Sequence, residues 1–531
     1  MMFQNLFNRY NKRIVAVVSV VLIAVSCGKE HGKLEEILKG PISVQVNPFR
    51  RVPLGGLLTF RTEEPCQVEI EVTGNAPIKK LYDDFEMHHS IPVLGLYADT
   101  INTVNIKLVT DKSDIYTGKI DLKTAPLPAF FPTIEISKID RKKMEPGFHL
   151  VEMLIANNGK FLSYTIMFDD NGDIRWFMDM SDVGQIVYSA LRIRSGNWLY
   201  LSWIDLWELS DLGEEVHHER MWKYAGDHDI IELSNGHLLM GGSKKDAGVV
   251  RGDGYKTPTR FDYVIEWDRK ANRGVKEWDL GKNLDIDRSV YPPDYSIDTK
   301  ADWFHLNSIA LAPDSSLLVS GRHQGVIKVD KHNNVKWILA PHKGWGKAGR
   351  EGKGFETSTY LLTAVDSLGN PYAKQVQLGN EGANGFEWST GQHALTVLDN
   401  GNLLLFDNGL SRNLDAKPSY SRAVEYKINE KEKTVQQVWQ YGKSRGLGMY
   451  SPITSDVDVL LKTNNRLITV GDIRHSADRP HAKMIEITYP DNQVVFEADI
   501  YFKDALGTGE KSWAQFDLVF RGERYSLYND Q

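Results

Sequence analysis

Cysteine is nearly absent from this sequence. Its 531 residues carry two, Cys27 and Cys66, too few for a disulfide framework or a CxxC-type zinc site. An excess of positive charge is missing as well. Lysine and arginine number 63 against 70 acidic residues, a formal charge of −7, so no basic face is expected and nucleic acid is excluded as a partner. No apolar run reaches the ~20 residues of a membrane-spanning helix. Tryptophan is lacking early in the chain, where none of 13 precedes Trp176. What remains, 41% hydrophobic and 25% charged residues, is a globular composition in a chain long enough for at least two domains.

The N-terminus reads as a leader. Arg9, Lys12 and Arg13 precede the uncharged run Ile14 to Ser26, and Ile23-Ala24-Val25-Ser26-Cys27-Gly28 follows the pattern of a bacterial lipobox. Residues 1–26 are therefore expected to be a lipoprotein signal peptide. Cys27 would be the lipidated new N-terminus, tethered by residues 27–40 to a membrane outside the cytoplasm. Cys66 would then be the sole thiol.

From residue 41 to about 130, short alternating runs such as Gln67-Val68-Glu69-Ile70-Glu71-Val72 and Val104-Asn105-Ile106-Lys107-Leu108 predict a small antiparallel β-sandwich. The stretch Pro126-Leu127-Pro128-Ala129-Phe130-Phe131-Pro132 reads as a linker. Residues 131–531 repeat one theme, an apolar strand, a turn and a second apolar strand. Copies are centred on Ser195-Gly196-Asn197, Asn235-Gly236, Asp314-Ser315, Asn400-Gly401 and Asn464-Asn465. The expected fold class is all-β, a six-bladed β-propeller preceded by the sandwich. Asn-Gly between the apolar runs predicts tight two-residue hairpins.

Histidine marks the chemistry. His228, His305 and His393 stand 7, 9 and 7 residues before Asn235, Asp314 and Asn400. Equivalent positions in successive blades fall at equal radii, so the three imidazoles are expected to face one central funnel. His217-His218 and His88-His89 lack this setting and read as solvated or locally bonded. Three histidines could hold zinc, but Arg322 in Ser320-Gly321-Arg322-His323-Gln324 would repel a dication, so no metal is expected. Three imidazoles and a guanidinium suit an oxyanion. Trp303, Phe304 and Trp388 could stack on a substrate ring or simply pack the core.

Several separated motifs occur together in one order: Asp302-Trp303-Phe304-His305-Leu306-Asn307-Ser308-Ile309-Ala310, the Arg322 segment, Thr390-Gly391-Gln392-His393, Phe406-Asp407-Asn408-Gly409 and Tyr420-Ser421-Arg422-Ala423-Val424-Glu425-Tyr426. With an N-terminal sandwich beginning near Asn47-Pro48-Phe49, this set resembles bacterial arylsulfate sulfotransferases. The resemblance implies a six-bladed propeller that moves a sulfuryl group from a phenolic sulfate donor to a phenolic acceptor without a cofactor. It implies that His393 is the transiently sulfated nucleophile, that His228, His305 and Arg322 bind sulfate oxygens, and that Asn307 lines the pocket. It also implies a homodimer. Relatives resembling the enterobacterial enzyme carry a disulfide near the site, which this chain cannot form. Sulfuryl transfer, like phosphoryl transfer, is expected to pass through a loose transition state governed by positioning and electrostatics. A covalent intermediate would give ping-pong kinetics. Three alternatives stand beside this reading. A sialidase-like hydrolase would show repeated Ser-x-Asp-x-Gly-x-Thr-Trp turns, which the sequence lacks. A non-catalytic propeller that binds a ligand or partner would tolerate loss of His393. A quinoprotein dehydrogenase would want more regular tryptophan repeats.

Overall fold

The computed structural model describes residues 30–157, 160–184, 186–250, 256–288, 302–410, 412, 420–474, 479–503 and 516–529. Cys27 and the leader lie outside the described residues.

The first domain is built on one long strand. Gly56–Val72 pairs with Ile78–Val93 along its length, with Ser43–Val46 over its first part and with Ile101–Thr110 over its second. Pro65, which has no N–H to give the ladder, sits where the register with Ile78–Val93 shifts between Arg61 and Cys66. Leu58, Phe60, Cys66, Val68, Ile70 and Val72 alternate inward, and the sheet folds over them as a sandwich with Val104, Ile106 and Leu108. One expectation needs correction here. Residues 30–40 do not form a free tether: Glu30–Lys33 adds a parallel strand beside Ile115–Lys123, and Leu34 and Ile37 are buried in the sandwich. Two apolar side chains spaced three apart were enough to anchor a segment whose composition is otherwise polar.

In the rest of the described chain, six sheets of four or five strands are set around an axis, with a separate two-stranded ribbon formed by Gly248–Val250 and Lys256–Pro258. The innermost strands are Leu518–Tyr525, Tyr188–Arg192, Tyr224–Glu232, Leu306–Leu311, His393–Val397 and Asp456–Val459, for blades 1 to 6. From Tyr188–Arg192 onward each lies against the next, and Asp456–Val459 lies against Leu518–Tyr525. The ring is closed twice. Thr133–Ile139 forms the outer edge of blade 6 against Val494–Tyr501, and Leu518–Tyr525 forms the inner edge of blade 1 against Phe148–Asn157. Closure from both ends leaves no unpaired seam between first and last blade.

The turns differ from the two-residue hairpins expected. Leu233 N donates to His237 O and Gly236 N to Leu233 O. Only Gly236, at φ 82°, is left-handed there. This is a three-residue loop with a glycine bulge. Asn235 contributes its side-chain oxygen, which accepts from His237 N at 2.9 Å. The turn at Asp314 repeats the bonds with Ser315 at φ 61° in the glycine position.

The two domains share one core. Val68 and Ile106 of the sandwich belong to the same apolar cluster as Val151 and Phe496 of the propeller. The Pro126–Pro132 stretch is docked into that seam by Phe131, whose ring meets Tyr164 and Phe177 edge-on. Arg175, fully buried in blade 1, pairs with Asp169 at 2.8 Å and donates to Gly95 O and Ala76 O of the sandwich. Among the described residues no helix is long and apolar enough to cross a membrane.

Candidate functional site

Three neighbouring inner strands, those of blades 3, 4 and 5, bring the sequence-selected histidines to the axis. His228 lies within Tyr224–Glu232, His305 directly precedes Leu306–Leu311, and His393 opens His393–Val397. Each of these strands is irregular at that point. Register shifts fall between Gly226 and Ile230, Leu306 and Ser308, and His393 and Thr396. His228, His305 and Ala394 adopt left-handed φ of 60°, 53° and 56°, a costly conformation for residues with a Cβ. The kinks turn consecutive side chains out of the alternating pattern.

The His228 and His305 rings meet edge to face at 5.0 Å, and Phe261 packs against both at 5.5 and 5.4 Å. Arg322 ends the hairpin of blade 4, its N–H donating to His305 O at 3.0 Å. Its guanidinium acts electrostatically on His393 and His305. Asn307 is buried, and its Nδ2 donates to Gln392 O at 2.7 Å, which fixes the amide. Among the described residues the buried Oδ1 atom of Asn307 has no hydrogen-bonding partner, so its acceptor capacity is unused. His228, His305, Arg322, Asn307 and His393 thus share one site.

Around them stands a layer of residues that hold the imidazoles. Asp302 Oδ2 is hydrogen-bonded to His305 Nδ1 at 2.6 Å, whereas Asp227 Oδ1, 2.8 Å from His228 Nδ1, lies close without hydrogen-bond geometry. Asn408 Oδ1 lies 2.7 Å and Gly391 O 3.0 Å from His393 Nδ1. The neighbouring Asp407 is fully buried, gripped by Arg412 and Arg422, and accepts from Thr390 N at 2.9 Å. That network fixes the Thr390–His393 loop against blade 5.

Burial holds His393 well below the ordinary histidine range, Arg322 lowers it further, the Asn408 hydrogen bond opposes the fall, and His228 and His305 add to it. Burial also lowers His305, while Asp302 works to raise it. Burial pushes Asp302 up, but the charges of His305, His323 and Arg260 and the His305 hydrogen bond bring it below the usual carboxylate range. The result is an imidazole at His393 that is neutral at neutral pH and lies in the field of the Arg322 guanidinium, an arrangement chemically able to attack an anionic centre whose oxygens the guanidinium holds.

Asp302, His305 and His323 have ligand-type atoms within 4.8 Å of one another. Asp302 is already engaged by His305 and lies 3.6 Å from Arg260, and Arg322 opposes a cation here. The set is better suited to orienting an imidazole than to holding a metal.

Not every expectation about the aromatics survives. Phe304 is fully buried and packs with Leu306, Ile327 and Ile338, while Trp388 packs with Phe386 and Tyr426 and donates to Val376 O. Trp303 lies half-buried against the first cluster and donates to Asp262 at 3.1 Å. These rings pack the core. His218 stacks on Trp207 at 3.6 Å and His89 on Phe60 at 4.6 Å, whereas His88 and His217 are exposed. Asp302 and Asn408 were within the quoted motifs without a role; their signal was only adjacency to a histidine or to a conspicuous turn.

The comparisons agree with this architecture. A family model described as Arylsulfotransferase (ASST) matches residues 133–507, and one described as Arylsulfotransferase Ig-like domain matches residues 43–125. The chain is 27% identical to "Arylsulfate sulfotransferase AssT" of Escherichia coli O6:H1, over 93% of this chain and 96% of that one. It is also 27% identical to the protein of the same name from Lelliottia amnigena, over 86% and 90%. Among solved structures, PorZ of Porphyromonas gingivalis is 11% identical with a TM-score of 0.31, covering 83% of this chain and 56% of that one; a likeness so slight carries no argument. With the matched models spanning both domains, the chain belongs to the arylsulfotransferase family and is a sulfotransferase that moves sulfuryl groups between aryl compounds.

Proposed function

We propose that the protein transfers a sulfuryl group from a phenolic sulfate ester to a second phenol by a ping-pong route through sulfated His393. The observation that carries this reading is a buried neutral imidazole, His393, placed among Arg322, His228 and His305 on adjacent inner strands. In the first half-reaction a ring-nitrogen lone pair of His393 attacks sulfur, and the S–O bond to the aryl group breaks. The aryl oxygen leaves with the electron pair and takes a proton. In the second, the acceptor phenol attacks sulfur, the S–N bond breaks, and the phenolic proton is given up. Proton uptake and release cancel over the cycle.

Arg322 supports the peripheral oxygens with a planar fork of donors, and His228 and His305 add imidazole donors beside it. His305, with Asp302 against its Nδ1, is the group best supplied to lend and recover the proton. Asn307 Oδ1, without a partner among the described residues and able only to accept, suits the O–H of the acceptor phenol rather than a sulfate oxygen. Cys27, outside the described residues, is proposed as a lipid anchor holding the enzyme outside the cytoplasm, with signal peptide 1–26, sandwich 41–130 and propeller 131–531 as its parts and a homodimer as its assembly. Mass spectrometry of the mature N-terminus tests the anchor.

The catalytic reading is tested with a chromogenic aryl sulfate, assayed with and without added phenol on the wild type and His393→Ala. Phenol-dependent release that vanishes in the variant, with sulfate recovered on the phenol, supports it. Release needing only water, or activity surviving in the variant, contradicts it.

A further inference from the structure

Asn408 is fully buried in the hairpin after Leu403–Asp407 and makes no use of solvent. Both N–H groups of its amide are spent on backbone carbonyls of the segment leading into blade 6, Ser451 O and Thr454 O, each at 2.9 Å. Those two carbonyls can only accept, so the amide cannot be flipped without losing both bonds and facing its oxygen toward them. Its Oδ1 is therefore the atom presented to His393 Nδ1 at 2.7 Å. The second neighbour of that nitrogen, Gly391 O at 3.0 Å, is also only an acceptor. A ring nitrogen facing two acceptors must carry the hydrogen.

We infer that Asn408 is a positioning residue for the sulfuryl acceptor of this enzyme: it holds His393 as the Nδ1–H tautomer and leaves Nε2 with the lone pair that meets sulfur. The inference rests on the proposed role of His393 as nucleophile. The partner's neutrality matters as much as its geometry. Burial lowers His305, and Asp302, presenting a carboxylate to its Nδ1, pulls the other way and steadies the imidazolium when a proton is taken up, which suits a proton carrier. Asn408 presents an amide oxygen, which orients the ring without the charge that would hold a proton on both nitrogens and cancel its nucleophilicity. One pair of side chains, Asp302 and Asn408, thereby divides the labour of two chemically identical rings.

Two measurements test this. In protein carrying 15N-histidine, signals lost in His393→Ala identify that ring, and protonated and bare ring nitrogens resonate far apart. The expected result is a protonated Nδ1 and a bare Nε2 at neutral pH; a protonated Nε2 overturns the inference, whatever the enzyme's activity. In Asn408→Asp, judged folded by its thermal transition, the acidic limb of kcat/KM is expected to rise by about 1 pH unit or more, with kcat falling most steeply on the acid side and donor KM little changed. An unmoved limb with unchanged kcat in folded protein overturns it, and if that variant does not fold the ring spectrum decides alone. Failure of the wild type to turn over any aryl sulfate would sink the functional reading instead, leaving the tautomer to the spectrum.

Discussion

Asp302 and His305, three residues apart, are joined at 2.6 Å between Oδ2 and Nδ1 at the point where the inner strand of blade 4 begins. The contact is made possible by the left-handed backbone of His305, which sends its side chain back toward the preceding loop. Arg260, 3.6 Å from the same carboxylate, keeps Asp302 ionised from the other side.

If His305 lends a proton to the leaving aryl oxygen, the effect of removing Asp302 depends on the leaving group. Asp302→Asn is expected to lower kcat by about 10²-fold or more for sulfates of weakly acidic phenols, the usual worth of positioned proton transfer. For nitrophenyl sulfate, whose anion leaves without a proton, the loss is smaller. A series of aryl sulfates of graded phenol acidity reads this directly; an equal loss across the series contradicts the role.

Arg322→Lys keeps the charge but loses the planar fork. Removing a preorganised donor from a transition-state oxyanion costs ~10²–10³ in rate, and lysine cannot replace two donors in plane. The expected outcome is a fall of that order in kcat with an unchanged thermal transition, checked by steady-state kinetics and melting.

A separate group of carboxyls, Asp456, Asp458 and Glu523, lines the inner strands of blades 6 and 1. Burial pushes Asp456 up to about 7 and Glu523 up to about 8; neighbouring carboxylates including Asp229 and Glu152 add to the rise, and Arg521 opposes it. The folded protein thus holds protons that the unfolded chain releases near pH 4. Their contribution to stability is present below about pH 4 and is lost as pH rises through 7 to 8. Asp456→Asn is expected to flatten the decline in melting temperature between pH 5 and 9 relative to the wild type, measured by thermal unfolding at each pH.

Arg175 is the electrostatic bolt between the domains. Arg175→Met leaves Asp169 buried without its cation and strips donors from Gly95 O and Ala76 O. Breaking one side of a buried pair costs ~3–5 kcal/mol, so the melting temperature should fall by several degrees or more; an unchanged melt contradicts the interlock.

Much of the architecture was legible because strand alternation and turn residues are local signals. The hairpins around Gly236 and Gly401 could be placed from their sequences, though not their loop type, which depends on whether Asn235 adopts φ > 0 or lends its side chain to His237. The recurrence of His228, His305 and His393 before those turns was legible for the same reason, since equal chain offsets give equal radii on a ring. What the sequence hid was long-range. Nothing near Asp302 predicts Arg260 from the neighbouring blade, and nothing near Asn408 predicts that Ser451 and Thr454 would claim its amide. Leu34 and Ile37 lie in a polar stretch, and only the docked strand Glu30–Lys33 shows that they are core. Phe304 and Trp388 were ambiguous because an aromatic beside a site and an aromatic beneath it have the same sequence.

Passage of sulfur through His393 is tested by quenching the enzyme within one turnover of an aryl sulfate, without acceptor, and mapping the peptides by mass spectrometry. A sulfuryl adduct is expected on the peptide holding His393, discharged when a phenol is added. An enzyme that transfers sulfate to phenol with no adduct there, and with kinetics requiring both substrates bound at once, would contradict it.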